Sequence, residues 1–167
     1  MPPLNLEIKF GEDLIIGHLR PNDALLSLRR VFDRDFIVKP CTHFLNKEII
    51  YVREGNTNDK VFEHVTMKQE YGKRHLIDNK RAIRIHWIKT ILEKAGTSKS
   101  KKYQVFSHVH PKHGLKTYVY HKNLKHLIIL EPSFCGQKYY FVTAYHVSGT
   151  GLDDIREKFE NKLSEVK

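Results

Sequence analysis

Four runs of strand-forming residues, Tyr103–Val109, Lys116–Lys122, His126–Leu130 and Tyr139–Val147, follow one another as a meander, and this succession most restricts the fold. The last two runs are the most continuously apolar, which places them at the centre of a sheet buried on both faces. Two segments of helical periodicity precede the meander, about Val61–Tyr71 and Leu76–Ala95, and Gly96 with the polar run Thr97–Lys102 ends the second. After it, Ser148-Gly149-Thr150-Gly151 leads into a helix with Leu152, Ile155, Phe159 and Leu163 on one stripe. Helices, then strands, then a helix predict an α+β fold: helices packed on an antiparallel sheet of about four strands.

The first 57 residues read as a small β-rich module. Leu6, Ile8 and Phe10 alternate with polar residues, and Gly11-Glu12 suits a tight turn into Asp13–His18. Pro21-Asn22-Asp23 predicts a helix start ahead of Leu25, Leu26, Leu28, Val31 and Phe32, and further strands are expected at Phe36–Val38 and Glu48–Arg53. The polar stretch Glu54–Lys60 marks the boundary, with residues 58–167 as the main domain.

Length and composition fit an ordinary folded domain: 167 residues, 40% hydrophobic and 29% charged. No run of about 18 apolar residues exists, so no membrane helix is expected. Met1–Glu7 has no basic start or apolar core, so no signal peptide is expected. Cys41 and Cys135 alone make no disulfide framework, which predicts a reducing, cytoplasmic setting. The net charge of +10 is concentrated: Lys60–His126 holds 16 Lys and Arg against 4 Asp and Glu, and the remainder holds 13 against 15. Eight of the 11 histidines lie in the same stretch. Such asymmetry attracts a polyanion, and RNA is the expected partner.

Within the second helical segment the apolar stripe places Arg84 near its middle and Arg81 nearer its edge, with Asp78, His86, Lys89 and Glu93 on a solvated face. A cation facing the protein body needs a carboxylate or a phosphate, so Arg84 is expected either to pair with an internal acid or to bind substrate, and Arg81 to reach a phosphate. His64, Lys68 and Tyr71 share one face of the first helix, where histidine can move a proton and lysine can hold a phosphate. Phe141, Thr143 and Tyr145 share a face of the last strand, as do Tyr118, Tyr120 and Lys122 of the second. Tyrosines interleaved with bases suit stacking of unpaired nucleotides, although tyrosine layers are also ordinary core. His108, His110 and His113 have a metal-like spacing. No carboxylate or cysteine completes the set and Lys112 and Lys116 oppose a cation, so no metal and no cofactor is expected.

The run Val61-Phe62-Glu63-His64-Val65, followed by Arg74-x-x-Ile77-Asp78-x-x-Arg81-Ala82-x-Arg84-Ile85-x-Trp87-Ile88 and by Tyr139-Tyr140-Phe141-Val142-Thr143-Ala144-Tyr145, resembles the phage-associated branch of the barnase–EndoU–colicin–RelE nuclease superfamily. The resemblance covers about residues 61–147. It implies a histidine-bearing helix, an arginine-bearing helix and a curved antiparallel sheet, and a metal-independent endoribonuclease, often a toxin held by an inhibitory partner protein. It further implies catalytic or phosphate-contacting roles for His64, Arg81, Thr143 and Tyr145. The expected activity is therefore RNA cleavage by 2′-OH transesterification, with Lys68, Arg84, Lys89, Tyr118, Tyr120 and Lys122 binding substrate. The rival expectations are a non-catalytic RNA-binding module and a basic interaction protein.

Overall fold

The computed structural model describes residues 4–70 and 73–167. In chain order the elements are α1 (Pro21–Phe32), β1 (His43–Phe44), β2 (Lys47–Ile50), α2 (Asn58–Thr66), β3 (Met67–Glu70), β4 (Lys73–Ile77), α3 (Asn79–Ala82), α4 (Ile85–Thr97), β5 (Tyr103–His110), β6 (Gly114–His121), β7 (His126–Pro132), β8 (Lys138–His146) and α5 (Thr150–Glu160). The meander β5-β6-β7-β8 forms as expected, each strand antiparallel to the next. Among the described residues the sheet is larger than the expected four strands and is mixed. Its order is β1-β2-β8-β7-β6-β5, and β2 runs parallel to β8. β7 lies between two partners and is covered on both faces, which is why Leu127-Ile128-Ile129-Leu130 reads as an unbroken apolar run.

Side chains alternate across this sheet. Val119, Ile128, Leu130, Phe141 and Ala144 belong to a core shared with α1 and α4. Phe106, Tyr118, Tyr120 and Leu127 face the other way, where Ile155, Leu152 and Phe159 of α5 cover them. A bulge between Ile129 and Leu130 shifts the β7–β8 register, and bulges of this kind bend a strand.

Residues 4–57 depart most from expectation. No hairpin joins Leu6–Phe10 to Asp13–His18; instead the side-chain amide of buried Asn5 takes both backbone groups of Ile15, accepting from its N–H at 2.7 Å and donating to its carbonyl at 3.1 Å. Those are the bonds a neighbouring strand would have made. Phe36–Val38 is not a strand either: residues 33–38 continue α1 as a π-helical turn, in which the Phe32 and Phe36 rings stack at 4.6 Å. The expected Glu48–Arg53 strand survives as β2, and it joins the main sheet through β8.

The two helical segments are also revised. The first ends at Thr66, whose hydroxyl donates to the Phe62 carbonyl at 2.6 Å. A β3–β4 hairpin follows, so Lys68 is a strand residue and shares no helix face with His64; Tyr71 lies outside the described residues. Asp78 closes this hairpin through its N–H to the Thr66 carbonyl (2.8 Å), then caps α3 by accepting from the Arg81 N–H at 3.3 Å. Arg84, at φ −120°, separates α3 from α4. His86 does not face solvent: it is buried beneath the Lys9–Glu12 loop, whose Glu12 carbonyl accepts from the Trp87 indole at 3.1 Å.

His126 is buried, and neither ring nitrogen has a hydrogen-bond partner among the described residues; it lies opposite His121 on β6 and His146 on β8 and 5.7 Å from the Trp87 ring. Burial, then the charges of Arg84, His146, His86 and His121, push its imidazole down to about 3. The unfolded chain takes up this proton near pH 6.5 and the folded one only near pH 3, so stability falls as pH drops through that window. At pH 5 the loss from this one group is about 2 kcal/mol. Urea unfolding at pH 7.5 and pH 5 measures it. The difference should shrink in His126→Phe, and an unchanged difference would place the acid sensitivity elsewhere.

Candidate functional site

One large cleft, of about 1350 Å³, opens on the α5 side of the sheet beside α2. Lys60, Glu63 and His64 reach it from α2, and Tyr51 and Arg53 from the segment after β2. The sheet contributes Lys116 and Tyr118 from β6, Ile129 and Glu131 from β7, and Tyr145 from β8, while His110 and His113 come from the β5–β6 turn and Asp154 and Lys158 from α5. The period of two explains the strand contributions, since Tyr118, Ile129 and Thr143 oppose one another across three strands.

Among the described residues, charge in the cleft is nearly balanced. Arg53, Lys60, Lys116 and Lys158 face Glu63, Glu131 and Asp154, and three histidines complete the lining. Glu131 accepts from both Lys116 and Arg53, the latter at 3.1 Å. Burial pushes its carboxyl up, but the Lys116 hydrogen bond and the Arg53 charge outweigh this and hold it below its ordinary range. Lys116 also donates to the His113 carbonyl at 2.6 Å, fixing the turn that carries both histidines. Lys158 pairs with Asp154 one helical turn earlier.

The two histidines of that turn are not equivalent. Nδ1 of His110 accepts from the backbone N–H groups of Lys112 (3.1 Å) and His113 (3.2 Å), so it has no room for a proton. Burial, then His113 and Lys158, hold the His110 imidazole below its ordinary range, in keeping with a neutral ring that donates through Nε2. The His110 and His113 rings lie 4.6 Å apart. Among the described residues no three metal-ligating side chains are grouped closely enough to share an ion.

Burial pushes the Tyr118 hydroxyl up to about 12, with Tyr145 and Asp154 adding to it. Burial, then Asp154, raises Tyr145, partly offset by Arg81. Both phenols are therefore neutral donors near pH 7. The Tyr118 ring stacks on Phe106 at 5.1 Å, which fixes its position.

Of the residues singled out in the sequence, His64, Tyr118 and Tyr145 meet in the cleft. Thr143 lies on the same sheet face, and its buried Oγ1 has no hydrogen-bond partner among the described residues. Arg81 sits behind His64: its Nη1 donates to the His64 carbonyl at 2.7 Å, and its guanidinium lies 5.7 Å from the Tyr145 ring centre. That carbonyl belongs to the last turn of α2, where no helical N–H follows to bond it, so a cation is well placed there.

The other expected contacts lie elsewhere. Arg84 forms a two-pronged pair with Asp13 at 2.9 and 3.1 Å, and Lys89 lies 3.7 Å from Glu93. Tyr120 is packed beneath α5, Lys68 is exposed on β3, and Lys122 stands in the β6–β7 turn at the other end of the strand from His113. Sequence reasoning missed Arg53, Lys60, Lys116 and Glu131, and considered His113 only as a metal ligand. Only the Asp154–Lys158 spacing carried a readable signal. No protein-family model, curated protein or solved structure shows significant similarity to this chain.

Proposed function

We propose that the cleft cleaves RNA, with a ribose 2′-OH attacking the adjacent phosphorus. The observation that carries this reading is the presence, in one cleft, of His64 from α2 and His113 from a separate turn, together with cations and neutral phenols. Transesterification needs one group to take the 2′-OH proton and another to protonate the departing 5′-oxygen, and imidazole side chains can serve in either role. Lys60 and Arg53 supply positive charge for the crowded phosphorane, and Tyr118 and Tyr145 supply hydrogen bonds that need no prior ionisation. His110 cannot exchange a proton while its Nδ1 is held by two backbone donors, so it serves as a hydrogen-bond donor to phosphate. Arg81 acts through His64 as a positioning residue. The histidine helix, the arginine helix and the strand that bears Tyr145 keep the chain order of the nuclease superfamily that the sequence resembles, which supports the same reading.

The test is incubation with single-stranded RNA and with DNA of the same sequence, in the presence of EDTA, followed by mapping of the ends. Cleavage of RNA alone, leaving 2′,3′-cyclic phosphate ends, is expected. Intact RNA at high protein concentration would leave a binding module as the better account.

A further inference from the structure

The cleft does not account for the chain's positive charge. Of the 16 Lys and Arg between Lys60 and His126, those lining the cleft among the described residues are Lys60 and Lys116. Arg84 and Lys89 are matched by Asp13 and Glu93. A separate group gathers at the far end of β5 and β6. Lys102 stands where the chain enters β5, and Lys122 and Lys125 lie in the β6–β7 turn. The Lys122 N–H donates to the Lys102 carbonyl at 2.9 Å, locking the two loops side by side. All three lysines are exposed, and none has an acidic partner among the described residues.

The turn itself is unusual. Lys125 has φ +49°, a left-handed conformation that residues other than glycine, asparagine and aspartate seldom adopt, and its carbonyl accepts from the Val147 N–H at 2.7 Å. Neighbouring side chains register the resulting field. After burial, Lys102 and Lys94 help hold the His121 imidazole below its ordinary range. Burial and Arg84, then Lys125 and Lys80, do the same to His146.

We propose that Lys102, Lys122 and Lys125, flanked by Lys80 and Lys94, form a second nucleic-acid surface that grips the backbone of the RNA whose cleavage is proposed for the cleft. The proposal rests on that reading for its RNA. Five lysines with no ion-pair partner among the described residues suit a polyanion. A bilayer surface is disfavoured, because Leu124, the hydrophobe of this turn, is half-buried against the core and leaves little apolar surface to insert among lipids. β6 has 8 residues, so the patch and the His113 turn are separated by roughly 25 Å along the strand. An RNA that engages both must therefore be several nucleotides long. Lysines on phosphates read no sequence, so this surface adds affinity for length and not for bases.

The experiment measures binding by fluorescence anisotropy in a His64→Ala background, which keeps the RNA whole. The probes are an unstructured RNA of about 25 nucleotides and a tetranucleotide, and the variant adds K102A, K122A and K125A. Exposed lysines tolerate alanine with little effect on stability. Loss of three phosphate contacts should weaken the long RNA by about tenfold or more and reduce the log–log salt slope by about 2–3, with tetranucleotide binding unchanged. A K102E, K122E, K125E variant should bind the long RNA more weakly still. Equal affinity and slope in all three proteins would overturn the proposal, as would sedimentation of the protein with phosphatidylserine vesicles without measurable RNA binding. Patch-dependent binding of RNA that wild type never cuts would refute the cleavage reading alone, and cutting with patch-independent binding would refute this one alone.

Discussion

Replacing His64 by alanine is expected to lower RNA cleavage by about 10²- to 10⁴-fold while leaving RNA affinity within a few-fold of wild type. Proton transfer contributes to the transition state and little to the bound ground state, so the loss should fall on kcat and leave KM nearly intact. His113→Ala should behave similarly, because its imidazole lines the same cleft. His110→Ala should cost less, since two backbone N–H groups hold its Nδ1 and confine it to donating one hydrogen bond. This ordering is specific to the mechanism: a cleft that merely binds RNA would show three comparable, modest losses of affinity and no loss of turnover. Arg81→Ala would be a poor substitute for this test, because its guanidinium holds the His64 carbonyl and its removal disturbs α2 as well as the chemistry.

A single 2′-deoxyribose at the cleaved nucleotide should abolish cleavage at that position and leave binding unchanged. The substitution removes one oxygen and keeps the phosphate charge, so the cations of the cleft and of the lysine patch meet the same polyanion. If the 2′-oxygen is the nucleophile, nothing replaces it, and the loss is complete where a side-chain variant retains a residual rate. Uncut product length on a denaturing gel, compared with the all-ribose strand, is the readout. Continued cutting at the deoxy position would show that the nucleophile is a water molecule. The roles of His64 and His113 would then need to be reassigned, although the cleft itself would stand.

The meander, α1, the start of α2 and α5 were legible in the sequence, because each rests on local information. Alternating or unbroken apolar runs set the four strands, and Pro21 and the Leu152-Ile155-Phe159 stripe mark the helices. Tertiary structure decided where local patterns competed. The alternation in Leu6–Phe10 is that of a strand, but the Asn5 amide took the hydrogen bonds of Ile15 that a hairpin would have used. Helical periodicity across residues 61–95 concealed the β3–β4 hairpin, because Asp78 satisfies the hairpin and the next helix at once. At the site, His64, Tyr118 and Tyr145 carried their chemistry in their identity and their position on an element. Arg53, Lys60, Lys116, Glu131 and His113 come together only because β2 pairs with β8 and because the β5–β6 turn is held by Lys116. The sequence determined that a strong excess of positive charge lies between Lys60 and His126. Only the folded chain decided that this charge is shared among a cleft nearly balanced in its described residues, ion pairs such as Arg84–Asp13 and a lysine patch with no acidic partner among the described residues, because a charge's partner depends on distance in space and the chain separates Arg84 from Asp13 by 71 residues.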